Sequence, residues 1–134
     1  LMGAAREPDL YRCAISYVGV SDLPTMFTRG DIEDSDFGVS YLKKVLGTDE
    51  AELRANSPSQ LASQIRAKVF LIHGGRDERV PIKHAELMRD ALTAAGNPPE
   101  WYVEATEGHG FITEAAQEKL YTRVDGFLRG CFGG

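Results

Sequence analysis

The run Lys68-Val69-Phe70-Leu71-Ile72-His73, closed by Gly74-Gly75, constrains the fold of this chain more than any other segment. Its consecutive apolar residues offer water no polar face. A strand of that kind must be covered on both sides, as parallel strands inside α/β sheets are. Downstream, the stretch from Pro81 to Ala95 has a proline at its start, Gly96 as its stop, and Ala85, Leu87, Met88, Ala91, Leu92 and Ala95 at helical spacing. Glu100 to Glu104 predicts a further strand. Glu114 to Phe132 predicts a final helix with Leu120, Val124, Phe127 and Leu128 on one face. Strand–helix–strand–helix order implies a parallel sheet with right-handed crossovers. The expected fold class is therefore α/β, three-layered, with a mainly parallel sheet.

The first half is less regular. Leu1-Met2-Gly3-Ala4-Ala5-Arg6 reads as helix interior with no N-cap before it. Residues 11–18, Tyr11 through Val18, read as a short buried strand. From Ser21 to Asp36 the chain is irregular and acidic. Tyr41 to Leu46 predicts a helix stopped by Gly47. Thr48-Asp49-Glu50-Ala51 has capping-box character and predicts another helix ending before Asn56-Ser57-Pro58. Ser59 to Ile65 predicts one or two helical turns.

With 134 residues, 43% of them hydrophobic and 26% charged, the chain suits one domain with a single core. The net charge of -5 leaves no basic stripe to neutralise phosphates, which argues against nucleic acid as a partner. The apolar runs fall well short of the roughly 20 residues that span a bilayer, so no membrane partner is expected. Cys13 and Cys131 are compatible with one disulfide or two thiols, and Cys13 reads as a small buried hydrophobe. The compartment stays open between cytoplasm and periplasm or secretion.

Two residues carry chemistry. Asp77 follows the strand and glycine turn, and His109 sits in Glu107-Gly108-His109-Gly110-Phe111 with a glycine on each side. When a Ser-Asp-His triad is built on an α/β sheet, the acid follows one strand and the histidine a later one. Asp77 and His109 stand in that order. As a triad acid, Asp77 would fix the histidine tautomer and stabilise the imidazolium; as an ordinary Asp after glycines, it would cap a turn or the next helix. His109 would be the general base and then the general acid, against the plainer reading of a lone loop histidine. His73 is expected to pack or bond locally, and His84 to be solvated on its helix. No pair has the His-x-x-x-His spacing of a zinc motif, so neither metal nor cofactor is expected. Gly38-Val39-Ser40-Tyr41-Leu42 and Gly19-Val20-Ser21-Asp22-Leu23 both miss the second glycine of Gly-x-Ser-x-Gly. Ser40 and Ser21 are therefore read as ordinary serines.

The segments Leu71-Ile72-His73-Gly74-Gly75-Arg76-Asp77-Glu78-Arg79-Val80-Pro81, Leu92 to Gly96, and Gly108-His109-Gly110-Phe111 together resemble the prolyl oligopeptidase family of serine peptidases. The Asp-x-Arg-Val-Pro form is similar to acylaminoacyl-peptidase-type members. The resemblance covers nearly the whole chain. It implies that residues 1–134 are the C-terminal portion of an α/β-hydrolase domain holding its last three strands. The nucleophile elbow, and any β-propeller, would lie upstream of Leu1. It further implies peptide hydrolysis, with Asp77 and His109 as two triad members and an oligopeptide as the parent protein's substrate. Arg79 and Val80, in the turn after the acid, and Val18 and Val20, in the loop after the first strand, would border that substrate. Arg79 would contact a substrate carbonyl or carboxylate, or else pair with Glu78 or Asp77. Without the serine this polypeptide is expected to be inactive, and to self-associate through the strand edge at Tyr11–Val18. An esterase or thioesterase on the same fold, and a non-catalytic α/β binding domain, are the alternatives.

Overall fold

The computed structural model describes residues 1–133. Three parallel strands form the sheet in the order β1-β2-β3: β1 is Cys13–Tyr17, β2 is Lys68–Gly74 and β3 is Glu100–Glu104. Ile15 pairs with Phe70 and Tyr17 with Ile72, while Ile72 pairs with Tyr102 and Gly74 with Glu104. The central strand is β2, as its unbroken apolar run requires. Side chains alternate across a strand, so Val69 and Leu71 enter one layer and Phe70 and Ile72 the other.

The first layer contains α1 (Met2–Arg6), the 3-10 segment Pro58–Gln64 and α4 (Lys83–Ala94). Ala4, Ala5, Ala62, Ile65, Met88 and Leu92 close over Val69 and Leu71 there. The second layer is α5 (Glu114–Phe132), whose Ala116 and Leu120 meet Phe70, Ile72, Tyr102 and Phe111. Val124 and Phe127 extend the same stripe, and the Phe127 ring lies 5.3 Å from that of Phe70.

Between β1 and β2 the chain departs from the sequence reading in length rather than type. A 3-10 turn spans Pro24–Phe27 within the irregular acidic stretch. Helix α2 covers Asp36–Leu46 and begins well before Tyr41, because the Ser35 hydroxyl accepts the Gly38 N–H and caps it. Helix α3 is Glu50–Ala55, capped by the Asp49 carboxylate on Glu52 N–H. Strand β1 is shorter than Tyr11 to Val18: Tyr11 is outside it, and Val18 leaves the strand at φ 48°. Positive φ is costly for a β-branched residue and ends the strand there. Both β1 and β3 lie at sheet edges.

Cys13 and Cys131 are free thiols, one at the start of β1 and the other near the end of α5. Burial first, and the neighbouring thiol second, push the Cys13 thiol up to about 11. Among the described residues no helix is long and apolar enough to cross a membrane.

The two layers predict a contrast between two phenylalanines. Phe70 is 0% exposed and Phe37, on α2, is 83% exposed. Phe70→Ala should cost about 3–5 kcal/mol in urea unfolding, and Phe37→Ala less than about 0.5. Equal losses would contradict the assignment of Phe70 to the core.

Candidate active site

The two glycine turns meet at the C-terminal ends of β2 and β3. A Cβ placed on Gly74 would lie 2.1 Å from Gly108 O and 2.6 Å from Glu107 O, so only glycine lets the later loop come this close. Arg76 N–H donates to Glu107 O at 2.9 Å and Gly75 N–H to Glu104 O at 2.9 Å, tying one turn to the other. This contact brings residues 32 positions apart to one point, where His109 Nδ1 stands 3.0 Å from Asp77 Oδ2.

The Asp77 side chain is fully buried and the His109 side chain is 40% exposed. Asp77 divides its two oxygens between two sets of contacts. Its Oδ1 accepts Arg79 N–H at 3.1 Å and Val80 N–H at 2.9 Å, which caps the turn. Its Oδ2 faces His109. An ionised carboxylate only accepts, so the Nδ1 of His109 is the protonated nitrogen and the lone pair of the neutral ring lies on Nε2. That tautomer can take a proton from a hydroxyl, and the buried carboxylate then stabilises the imidazolium.

His73, the partner of Val103 in the sheet register, backs this pair. Its Nε2 lies 2.7 Å from Val80 O and 3.4 Å from Asp77 Oδ2. A carbonyl can only accept, so His73 carries its proton on Nε2 and donates it to Val80. It bonds locally, as expected.

His84 does not behave as expected. It is 0% exposed rather than solvated, because the first turn of α4 packs against the loop after β1. Asp22 N–H reaches His84 Nδ1 at 3.4 Å, Ser21 Oγ donates to His84 O, and Nε2 has no partner among the described residues. Burial pushes the ring down to about 4, against the opposing pull of the Asp22 carboxylate. Burial works to raise Asp22 itself, but Thr25 N–H, Thr25 Oγ1 and Ser59 Oγ hold it below its ordinary value.

Arg79 pairs with neither Glu78 nor Asp77. Its guanidinium reaches Asp31 Oδ2 at 3.1 Å, in the acidic loop before α2, with 68% of its side chain exposed. A cleft of about 350 Å³ beside Asp77 is lined by Gly30, Asp31, Glu33, Asp34, Glu78 and Pro81. Val80 is buried at 5% exposure and contributes its backbone N–H and carbonyl to Asp77 and His73. Val18 and Val20 are half-buried in the loop after β1. Ser21 is buried and Ser40 lies exposed on α2.

Two further residues border the pair. Glu107 accepts Ile112 N–H at 2.8 Å and the Thr113 hydroxyl; Thr113 first and Ile112 second hold its carboxyl below the usual range. Tyr17, the last residue of β1, accepts Phe111 N–H with its hydroxyl. Burial raises the phenol, against the opposing pull of the Phe111 N–H that it accepts. Neither stands out in the sequence, since their partners are set by how the loops meet. An aromatic at the C-terminal end of a parallel strand, where such sheets place their sites, is the one signal that was available. Among the described residues no group of His, Cys, Asp and Glu could hold a metal ion.

A parallel sheet with a hydrogen-bonded Asp–His pair at its C-terminal edge is the arrangement of the α/β-hydrolase class. A family model described as the prolyl oligopeptidase family matches residues 1–134, and the chain belongs to that family. Dipeptidyl aminopeptidase BIII of Pseudoxanthomonas mexicana is 29% identical over 139 residues, covering 100% of this chain and 20% of that protein. Acylaminoacyl peptidase of Pyrococcus horikoshii superposes with a TM-score of 0.71 at 26% identity, over 81% of this chain and 18% of that one. A puromycin-hydrolyzing peptidase of Mycobacterium tuberculosis gives a TM-score of 0.70 at 28% identity, over 82% and 17%. The chain thus spans about a fifth of the length of these relatives.

His84 predicts a pH dependence. Its folded pKa of about 4 lies below its ordinary 6.5, so between those values the unfolded chain binds more protons. Stability should therefore fall as pH drops from about 6.5 to 4, by order of 2–3 kcal/mol at roughly 1.4 kcal/mol per pKa unit. His84→Asn keeps an acceptor for Asp22 N–H and gains no proton. Urea melts of that variant should lose this part of the acid slope. An unchanged slope would assign it to other groups.

Proposed function

We propose that this chain is the C-terminal portion of a serine peptidase's catalytic domain and supplies the acid and the base of its triad. The observation that carries this reading is the 3.0 Å contact between His109 Nδ1 and Asp77 Oδ2, with the carboxylate buried and the ring half-exposed. Family membership supports it, and so do relatives named as aminopeptidases and acylaminoacyl peptidases.

The nucleophilic serine would come from the part of the protein that precedes Leu1. His109 Nε2 takes the serine proton as the oxygen attacks the scissile carbonyl, forming a tetrahedral oxyanion. The imidazolium then returns that proton to the leaving amine, which departs and leaves an acyl-serine. Water repeats the sequence: His109 takes its proton, hydroxide oxygen adds to the acyl carbon, and the serine leaves reprotonated. Asp77 keeps its contact with the ring throughout and steadies the positive charge. Arg79, whose guanidinium is exposed one turn from Asp77, is assigned to the substrate's carbonyl or carboxylate. Val18 and Val20 are assigned to the wall of the pocket for the residue before the cleaved bond. Val80 serves through its backbone.

Residues 1–134 contain no Gly-x-Ser-x-Gly elbow. A fluorophosphonate probe should leave this chain unlabelled and should label the longer protein that carries the elbow. His109→Ala should abolish that labelling. Labelling of the isolated chain at Ser40 or Ser21, or undiminished labelling without His109, would overturn the reading.

Self-association through the edge of β1 is a proposal on the same footing, supported by the position of β1 at the border of the sheet. Sedimentation of the chain should show dimers or larger species at micromolar concentration. A stable monomer would refute it.

A further inference from the structure

We propose that Tyr17 is a positioning residue for His109, its hydroxyl oxygen holding the Phe111 N–H and so hanging the histidine loop from the end of β1. The proposal rests on the reading of Asp77 and His109 as a catalytic pair, and it adds a residue that neither the motif nor the triad contains.

The loop is held differently on its two sides. On the N-terminal side of His109, Glu107 O accepts Arg76 N–H, and Gly108 sits against Gly74 of β2. On the C-terminal side the backbone donors mostly turn inward. Gly110 N–H goes to Gly108 O, and Ile112 and Thr113 N–H go to the Glu107 carboxylate, all within the same segment. Among the described residues, the Phe111 N–H bond to Tyr17 is the one from residues 110–113 that reaches the sheet, across 94 positions of sequence.

Position 110 makes this tether matter. Gly110 has φ 118°, a conformation open to glycine, so the backbone beside His109 has little stiffness of its own. A Cβ at Gly110 would lie 3.9 Å from the Tyr17 oxygen, so the hydroxyl stands against the loop at that weak point. The Tyr17 ring meets Phe111 edge-on at 5.3 Å, and Phe111 meets Tyr102 of β3 edge-on at 5.8 Å. Ring packing therefore locates the Phe111 side chain, while the hydroxyl fixes its amide. Phe111 is 5% exposed, and a buried N–H that loses its acceptor must turn to find another. Such a turn moves the peptides on either side of Gly110, and His109 with them. A misplacement of about 1 Å at a catalytic group costs on the order of 100-fold in rate.

The test uses the longer protein that carries its nucleophile. Tyr17→Phe keeps the ring contacts and removes the oxygen. It should lower kcat by roughly 10- to 100-fold with little change in KM, and leave the melting temperature close to wild type. The low-field proton resonance of His109 Nδ1–H, sharp in the parent, should broaden or move upfield, and exchange of the Phe111 amide should accelerate. Tyr17→Leu, which also loses the ring, should do no better. If Tyr17→Phe keeps parental kcat and the parental low-field proton, while only Tyr17→Leu is impaired, Tyr17 is a packing residue and the proposal fails. His109→Gln separates the two readings. Full turnover in that variant would end the catalytic account, whereas its loss beside a silent Tyr17→Phe would end only this one.

Discussion

The site depends on a missing side chain. Gly74 ends β2 with its α-carbon so close to the Glu107–Gly108 backbone that a methyl group there would overlap two carbonyl oxygens. Because the space is empty, the turn after β2 and the turn after β3 dock as backbone against backbone, with Arg76 N–H and Gly75 N–H as the rivets. The Asp77–His109 bond is a consequence of that docking. It is also why the pair lies at the carboxyl ends of the strands, where parallel sheets leave a crevice.

Around that point, buried polar groups are satisfied in a definite order. Asp77 divides its oxygens between the turn and the histidine. His73 gives its proton to Val80 O, which holds the far side of the same turn. The lone pairs of a carboxylate so enclosed meet fixed donors, and those donors also fix where it points. The exposed Arg79–Asp31 pair contributes little to stability by comparison. Its effect is to close the acidic loop over one rim of the cleft beside Asp77.

The legible part of this architecture was the part governed by local rules. The unbroken run of β2, the Pro81-to-Gly96 punctuation around α4, and the stripe on α5 each state their element, and together they state a parallel sheet. Asp77 and His109 stand out because each follows a strand in a glycine-bearing turn, in the order of a triad's acid and base. What depended on distant contacts was not visible. His84 sits at helical spacing like a surface residue and is buried by a loop 62 positions away. Tyr17 reads as one more strand aromatic until its hydroxyl is seen on Phe111. The start of α2 is masked in the sequence because its Ser35 cap stands among acidic residues that lack apolar periodicity. Arg79 found its partner in Asp31, 48 positions upstream, rather than beside itself.

The central claim is that Asp77 serves His109 with one oxygen and the turn with the other, and Asp77→Asn tests it in the longer, serine-bearing protein proposed above. The amide oxygen retains the Arg79 and Val80 N–H bonds, so the fold should survive with a near-parental melting temperature. The amide nitrogen would then face His109 and demand the wrong tautomer. The account predicts a fall in kcat on the order of 10⁴-fold. A variant that folds normally and keeps its rate within about tenfold would contradict it.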